Sequence, residues 1–95
     1  MENTCRIFDM GYKEVINLVD GARLGYVNDV EIDMKTGEVI AVIIPGRLRF
    51  FGLLGREDDY IVPWSSIEKI GEDIILIRVD NGTLRRGRSL LKGLK

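Results

Sequence analysis

The clearest pattern of hydrophobic and polar residues lies between Leu24 and Ile44. In its first half, apolar side chains alternate with acidic ones. The apolar positions are Val30, Ile32 and Met34, and the acidic positions are Asp29, Glu31 and Asp33. Such period-two alternation is typical of a β-strand with one face on a core and the other in water.

The second half, Val39–Ile44, is apolar at every position and rich in β-branched residues. These side chains suit a pleated strand, and a strand that is apolar on both faces is expected to be covered on both. Between the halves, Asp33 can bond the backbone two residues ahead, and Gly37 can adopt a positive φ. The segment therefore predicts a β-hairpin with a short bulged loop.

Shorter segments of similar character flank this hairpin. Strands are predicted at Arg6–Phe8, Glu14–Val19, Tyr60–Val62, Glu68–Ile70 and Ile74–Val79, and one helical turn at Trp64–Ile67. Turn residues separate the strands at intervals of about eight to twelve residues, which is typical of small barrels and sandwiches. The predicted fold is all-β: a small β-barrel of about six short antiparallel strands with at most one helical turn. A barrel is favoured because closure removes exposed strand edges.

The composition is that of one folded domain. The chain has 95 residues, of which 45% are hydrophobic and 31% are charged, and this balance supports a modest core. No apolar run approaches the roughly 20 residues of a membrane-spanning helix, and the N-terminus lacks the pattern of a secretory signal. The single cysteine, Cys5, cannot form an internal disulfide. These features favour a cytoplasmic protein.

Charge divides the chain into two parts. All 15 acidic residues lie at or before Asp80, whereas residues 84–95 contain five basic residues and no acid. We therefore predict a domain over residues 1–83 and a basic tail over residues 84–95, with the scattered leucines and charge typical of a disordered terminus. Truncation after Thr83 is expected to change the melting temperature little.

The residue types argue against catalysis and metal binding. Histidine is absent and there is one cysteine, which removes the usual general base, the common nucleophile–base pairs and most zinc sites. The acidic residues of the hairpin lack the order of a calcium loop and are best explained as a solvated strand face. The sequence therefore predicts no catalytic, cofactor-binding or metal-binding residues.

The order of several short motifs resembles the PRC-barrel domain family, specifically its small branch of YlmC/YmxH-type sporulation proteins. The motifs are Lys13–Asn17, Asp20–Val27, Glu31–Asp33, Pro45–Gly46, Arg49–Gly52, Tyr60–Trp64 and Ile67–Asp73. The resemblance covers roughly Arg6 to Val79. It departs from the family pattern at Phe8, where a serine is expected, and in the basic tail.

This resemblance implies a fold and a class of function. Related domains occur in the photosynthetic reaction-centre H subunit and in the ribosome-maturation factor RimM, where they dock on other macromolecules without catalysis. The family supplies no catalytic or ligand-binding residues that could be transferred to this chain.

One segment has the composition of a docking surface. Between Arg47 and Arg56, apolar and aromatic residues are interspersed with arginines. The candidate partner-binding residues are Arg47, Phe50, Phe51, Leu53 and Leu54. Adjacent residues in an extended chain point to opposite sides, so Phe50 and Phe51 can both be buried only if both sides are covered. The alternative is a strand with a tight turn at Gly52–Gly55, in which one phenylalanine caps the barrel.

Two functions follow as hypotheses. The first is a non-enzymatic cytoplasmic adaptor, related to sporulation, that binds another protein or a second copy of itself. The alternative is a nucleic-acid- or ribosome-associated module that binds through the basic tail. An anionic membrane is a further candidate partner for the tail.

Overall fold

The computed structural model describes residues 3–46, 58–80 and 85–87, with the backbone alone for residues 85 and 86. A short helix, α1 (Ile7–Met10), precedes the strands. The strands are β1 (Glu14–Asn17), β2 (Arg23–Tyr26), β3 (Asp29–Ile32), β4 (Val39–Ile44), β5 (Asp59–Pro63), β6 (Ile67–Ile70), β7 (Ile74–Ile77) and β8 (Arg85–Gly87). A 3₁₀ turn, Trp64–Ser66, joins β5 to β6.

Within these residues, the eight strands form two four-stranded sheets. The first has the order β2-β1-β7-β6 and the second the order β3-β4-β5-β8, which confirms the predicted all-β fold. β1 and β7 pair in parallel, whereas the other described pairs are antiparallel. A parallel pair requires a long crossover, and here three strands of the second sheet lie between β1 and β7 in the chain.

The predicted hairpin is present as β3 and β4, which pair antiparallel. The Asp33 carboxylate accepts a hydrogen bond from the backbone N–H of Lys35 at 2.8 Å, and Gly37 has a φ of 80°. The register shifts between Glu31 and Ile32, as expected of a bulged hairpin. Local turn chemistry therefore sets this part of the fold.

The prediction of a strand at Arg6–Phe8 is wrong, because the chain forms α1 there. The backbone N–H of Asp9 donates to the Arg6 carbonyl at 3.0 Å, and the Arg6 N–H donates to Asp9 Oδ2 at 3.3 Å. The second bond satisfies a donor at the start of a short helix. The helical turn also carries Met10 into the core, where it is 2% exposed.

The core contains residues from both sheets and from α1. Its buried members are Met10, Val15, Val27, Val42, Ile44, Val62, Ile75, Ile77 and Val79. Val15 is the register partner of Ile75 in the first sheet, and Val42 is the partner of Val62 in the second. Cross-strand pairs of β-branched residues therefore supply much of the packing.

A buried asparagine joins β1 to the segment that follows β7. Asn17 is 1% exposed. Its Nδ2 donates to the Val79 carbonyl at 2.8 Å, and its Oδ1 accepts from the N–H groups of Val79 and Val19, each at 3.2 Å. Because the side chain replaces backbone pairing at this point, it holds the first sheet together beyond the last residues of β1 and β7.

β8 lies within the segment 84–95, for which the sequence predicted a tail outside the barrel. Its backbone pairs antiparallel with β5, with Tyr60 opposite Arg86 and Asp59 opposite Gly87. A Cβ atom at Gly87 would overlap Ile61 Cδ1, so the absence of a side chain permits this close approach. The predicted division into a domain over residues 1–83 and a basic tail over residues 84–95 otherwise stays a prediction.

This pairing changes the expected effect of truncation. We expect the chain that ends at Thr83 to be less stable than the chain that ends at Gly87 by about 1–3 kcal/mol, since it loses the hydrogen bonds between β8 and β5. Urea unfolding of the two truncated chains measures the difference. Equal stabilities would mean that β8 contributes nothing to the domain.

Candidate protein-docking surface

The helix α1 buries one residue and exposes its neighbours. Met10 packs in the core, whereas Ile7 is 48% exposed and Phe8 is 73% exposed. Tyr12, just after the helix, is 70% exposed. The rings of Phe8 and Tyr12 meet edge to face, with centroids 5.4 Å apart and planes at 69°. We call Ile7, Phe8 and Tyr12 the α1 surface.

Contacts on both sides hold α1 in place. On one side, the Lys13 ammonium donates to the carbonyls of Gly71 and Glu72, both at 2.7 Å. On the other side, Gly11 lies so close to Val27 that an added Cβ would be 3.3 Å from the Val27 carbonyl oxygen. Together with the buried Met10, these contacts fix the position from which the exposed rings project.

Two grooves border the α1 surface. The larger, of about 550 Å³, lies between the N-terminal residues, α1 and the β6–β7 turn, and Trp64 and Cys5 line it. The smaller, of about 390 Å³, is lined by Ile7, Phe8, Gly11, Tyr12, Val27, Asn28 and Asp29. We call the smaller one the aromatic groove. Phe8 and Tyr12 line the aromatic groove beside the polar residues Asn28 and Asp29, and exposed aromatic rings with a polar rim are typical of protein-contact sites.

The described part of the chain is strongly acidic. Residues 3–46, 58–80 and 85–87 contain 13 aspartates and glutamates against eight lysines and arginines, a net charge of −5. Of the described residues that line the aromatic groove, Asp29 alone carries a formal charge. The electrostatic field of this part of the molecule therefore favours a cationic partner.

The ion pair between Arg23 and Glu14 stabilises the fold, and neither of its residues lines either groove. The Arg23 guanidinium donates to both carboxylate oxygens of Glu14, at 2.8 and 3.1 Å. This hydrogen bonding lowers the pKa of Glu14 and raises the pKa of Arg23. The pair connects β1 to β2, and its shifted pKa values reflect strand pairing; they do not mark a reactive group.

The predicted docking residues Arg47, Phe50, Phe51, Leu53 and Leu54 lie outside the described residues, so that hypothesis stays a prediction. Sequence reasoning missed the α1 surface because Arg6–Phe8 was interpreted as a strand. The available signal was the spacing of Phe8 and Tyr12, four residues apart, which places two side chains on one side of a helical turn.

Residues 3–46, 58–80 and 85–87 were also searched for a metal site and for a membrane-spanning helix. No group of three or more carboxylate or cysteine side chains there is arranged to hold a metal ion. Likewise, no helix in this part of the chain has the length and apolar character that crossing a bilayer requires.

The two small sheets around one core define a β-domain of the PRC-barrel class. The profile of the family described as "PRC-barrel domain" matches residues 2–84, so the chain belongs to the PRC-barrel family. The match spans α1 and β1 to β7 and ends one residue before β8.

Individual relatives place the chain in the YlmC/YmxH branch of that family. "Probable sporulation protein YlmC" of Bacillus subtilis (strain 168) is 38% identical over 73 residues, covering 77% of this chain and 90% of that protein. "Uncharacterized protein YmxH" of the same strain is 36% identical over 76 residues, covering 78% and 88%. An uncharacterized protein of Clostridium acetobutylicum is 38% identical over 68 residues, covering 72% and 77%.

Proposed function

We propose that this protein is a non-enzymatic cytoplasmic adaptor that acts in sporulation by binding another protein through the α1 surface. The observation that carries the proposal is the pair of exposed rings, Phe8 in α1 and Tyr12 just after it, in a segment that Met10 and Lys13 anchor. The connection with sporulation rests on the similarity to YlmC, whose name describes it as a probable sporulation protein.

The α1 surface combines exposed aromatic area with a fixed position. Aromatic side chains bury about 150–250 Å² each when they are covered, so two exposed rings offer a large gain to a partner. Because α1 is tethered on both sides, little conformational entropy is lost when these rings are immobilised. Aromatic residues in such positions often dominate the binding energy of an interface.

We expect Phe8→Ser combined with Tyr12→Ser to weaken partner binding at least tenfold, since a hot-spot residue contributes more than about 1 kcal/mol. Met34→Ser is the matched control, because Met34 is an almost fully exposed apolar residue in the β3–β4 loop. Partners captured by the tagged protein from sporulating cells would be purified. Each would then be titrated against the natural chain, the double variant and the Met34→Ser control. Equal affinities for the double variant and the control would contradict the role of the α1 surface.

The acidic charge of the described residues bears on the nucleic-acid hypothesis. A net charge of −7 over residues 3–46 and 58–80 repels a polyanion, which leaves the basic residues outside these ranges as candidate contacts for nucleic acid: those of residues 84–95, and Arg47, Arg49 and Arg56. Such binding would fall steeply with salt, whereas binding dominated by aromatic burial would not.

A further inference from the structure

We infer that the aromatic groove binds an arginine side chain of the partner protein, with the guanidinium on the ring of Phe8 or Tyr12 and beside the carboxylate of Asp29. The occupant is identified by the arrangement of the two rings, by a carboxylate held in place at the same groove and by the sign of the surrounding charge. The inference rests on the proposed function, because it names the chemistry by which a partner recognises the α1 surface.

The two rings offer faces on which a flat cation can stack. Phe8 is 73% exposed and Tyr12 is 70% exposed. The face of an aromatic ring attracts a cation that lies within about 6 Å of the ring centre. Because the two ring centroids are 5.4 Å apart, a cation on one ring also lies near the other. A guanidinium is planar and stacks on such a face, whereas an ammonium is a compact point charge.

A carboxylate is held in place at the same groove. Asp29 Oδ1 accepts a hydrogen bond from the Val30 N–H at 2.8 Å. The preceding residue is fixed as well, since the Asn28 N–H donates to the Ile43 carbonyl at 2.9 Å. Asp29 is exposed, so its second oxygen, Oδ2, is accessible to a guanidinium. Hydrogen bonds between arginine and a carboxylate are charge-assisted and stronger than neutral ones.

One long side chain can reach both the rings and the carboxylate. Phe8, Tyr12 and Asp29 line a single groove of about 390 Å³, together with the apolar residues Ile7 and Val27. The aliphatic stem of an arginine covers apolar surface while its charged head stays at a polar group. An arginine therefore matches the apolar and the charged lining at once, which neither a leucine nor an acidic side chain can do.

The charge of the described residues selects a cation and disfavours a second copy as the occupant. Residues 3–46, 58–80 and 85–87 have a net charge of −5, and Asp29 alone is charged among the described residues that line the groove. Such a field attracts a basic segment and repels an acidic one. A second copy has the same net charge over these residues, so the occupant is a different protein with an exposed arginine.

The test is an NMR titration of the full-length chain with the peptide acetyl-Leu-Arg-Leu-amide. We expect saturable shifts at the amides of Gly11, Tyr12 and Asp29, with a dissociation constant on the order of 1 mM for so small a ligand. The same peptide with citrulline, which is neutral and similar in shape, should bind at least fivefold more weakly, and the lysine peptide at least twofold more weakly. Absence of saturable shifts at about 10 mM peptide, or equal binding of the citrulline or lysine peptide, would overturn the inference.

Variants of the chain locate the arginine. Asp29→Asn keeps an oxygen that can accept the Val30 N–H, and Phe8→Leu keeps an apolar side chain without an aromatic face. Each should weaken the arginine peptide at least threefold and the citrulline peptide less. Glu38→Gln is the control, because it removes an exposed carboxylate that does not line the groove. Unchanged affinity for the arginine peptide in both groove variants would overturn the assignment.

The remaining outcomes separate this inference from the proposed function. If the groove amides shift with protein concentration in the absence of peptide, a second copy occupies the groove and the inference is wrong. If the peptide does not bind but Phe8→Ser with Tyr12→Ser still weakens the purified partner, the arginine assignment alone is wrong. If the peptide binds as expected but the double variant keeps its partners, the proposed function alone is wrong.

Discussion

Replacing Asn17 by aspartate should destabilise the protein by about 3–5 kcal/mol at pH 7. The new carboxylate would be almost fully buried and would face the Val79 carbonyl oxygen across the 2.8 Å contact that Nδ2 now makes as a donor. Both N–H bonds to the side chain could persist. The cost therefore comes from burying a charge and from setting two acceptors against each other.

The destabilisation should depend on pH with a definite sign. Protonation restores a donor toward the Val79 carbonyl, so the pKa of the new carboxyl group is raised in the folded state above its unfolded value of about 3.9. Below that unfolded value the group is protonated in both states and the charge penalty is absent. The penalty then grows as the pH rises toward the folded pKa.

Urea unfolding of the natural chain and the Asn17→Asp variant between about pH 3.5 and pH 7 measures this effect. Asn28→Asp is the matched control, because the same chemical change is made on an exposed side chain and should alter stability by less than about 0.5 kcal/mol. A pH-independent loss of stability in the Asn17 variant would mean that ionisation is not the cause.

Met10→Ala should have the second-largest effect, a loss of about 2–4 kcal/mol. Met10 is the anchor of α1, with 2% of its surface exposed, and it packs with buried residues of both sheets. Removing its side chain leaves a cavity and releases the helix from the core. Phe8→Ala is the control on the exposed side of α1 and should change stability by less than about 1 kcal/mol.

Hydrogen exchange gives a local measurement of the same prediction. In α1 and the turn after it, the N–H groups of Gly11 and Tyr12 donate to the carbonyls of Phe8 and Asp9 at 3.2 and 3.1 Å. These amides should exchange faster in Met10→Ala, whereas those of β3 and β4 should follow the global stability. If Phe8→Ala is as destabilising as Met10→Ala, the division of α1 into a buried and an exposed side is wrong.

The two anchors connect stability to the proposed function. Met10 and Lys13 hold the α1 surface against the domain, so a variant that loosens α1 should also weaken a partner that needs both rings in one position. Met10→Ala should therefore weaken partner binding even though Met10 is buried. Asn17→Asp, studied at a pH where it is folded, should leave binding unchanged.

Parts of this protein follow from short-range patterns in the sequence. The β3–β4 hairpin was predicted from alternation, from Asp33 and from Gly37, because all of its determinants lie within a few residues of one another. The resemblance to the PRC-barrel family was also read from local motifs, and the family profile confirms it over residues 2–84. Absence of histidine likewise needs no structure to be known.

Only the tertiary structure decided where distant segments meet. The parallel pairing of β1 with β7, and the bonds between Asn17 and Val79, join residues about 60 positions apart. No local period encodes such pairs, because they depend on which packing buries the most apolar surface with every buried polar group satisfied. Ile7–Met10 is too short a segment for periodicity to distinguish a helix from a strand. Its helical form, and with it the α1 surface, follows from the burial of Met10 and from the contacts of Gly11 with Val27 and of Lys13 with the β6–β7 turn.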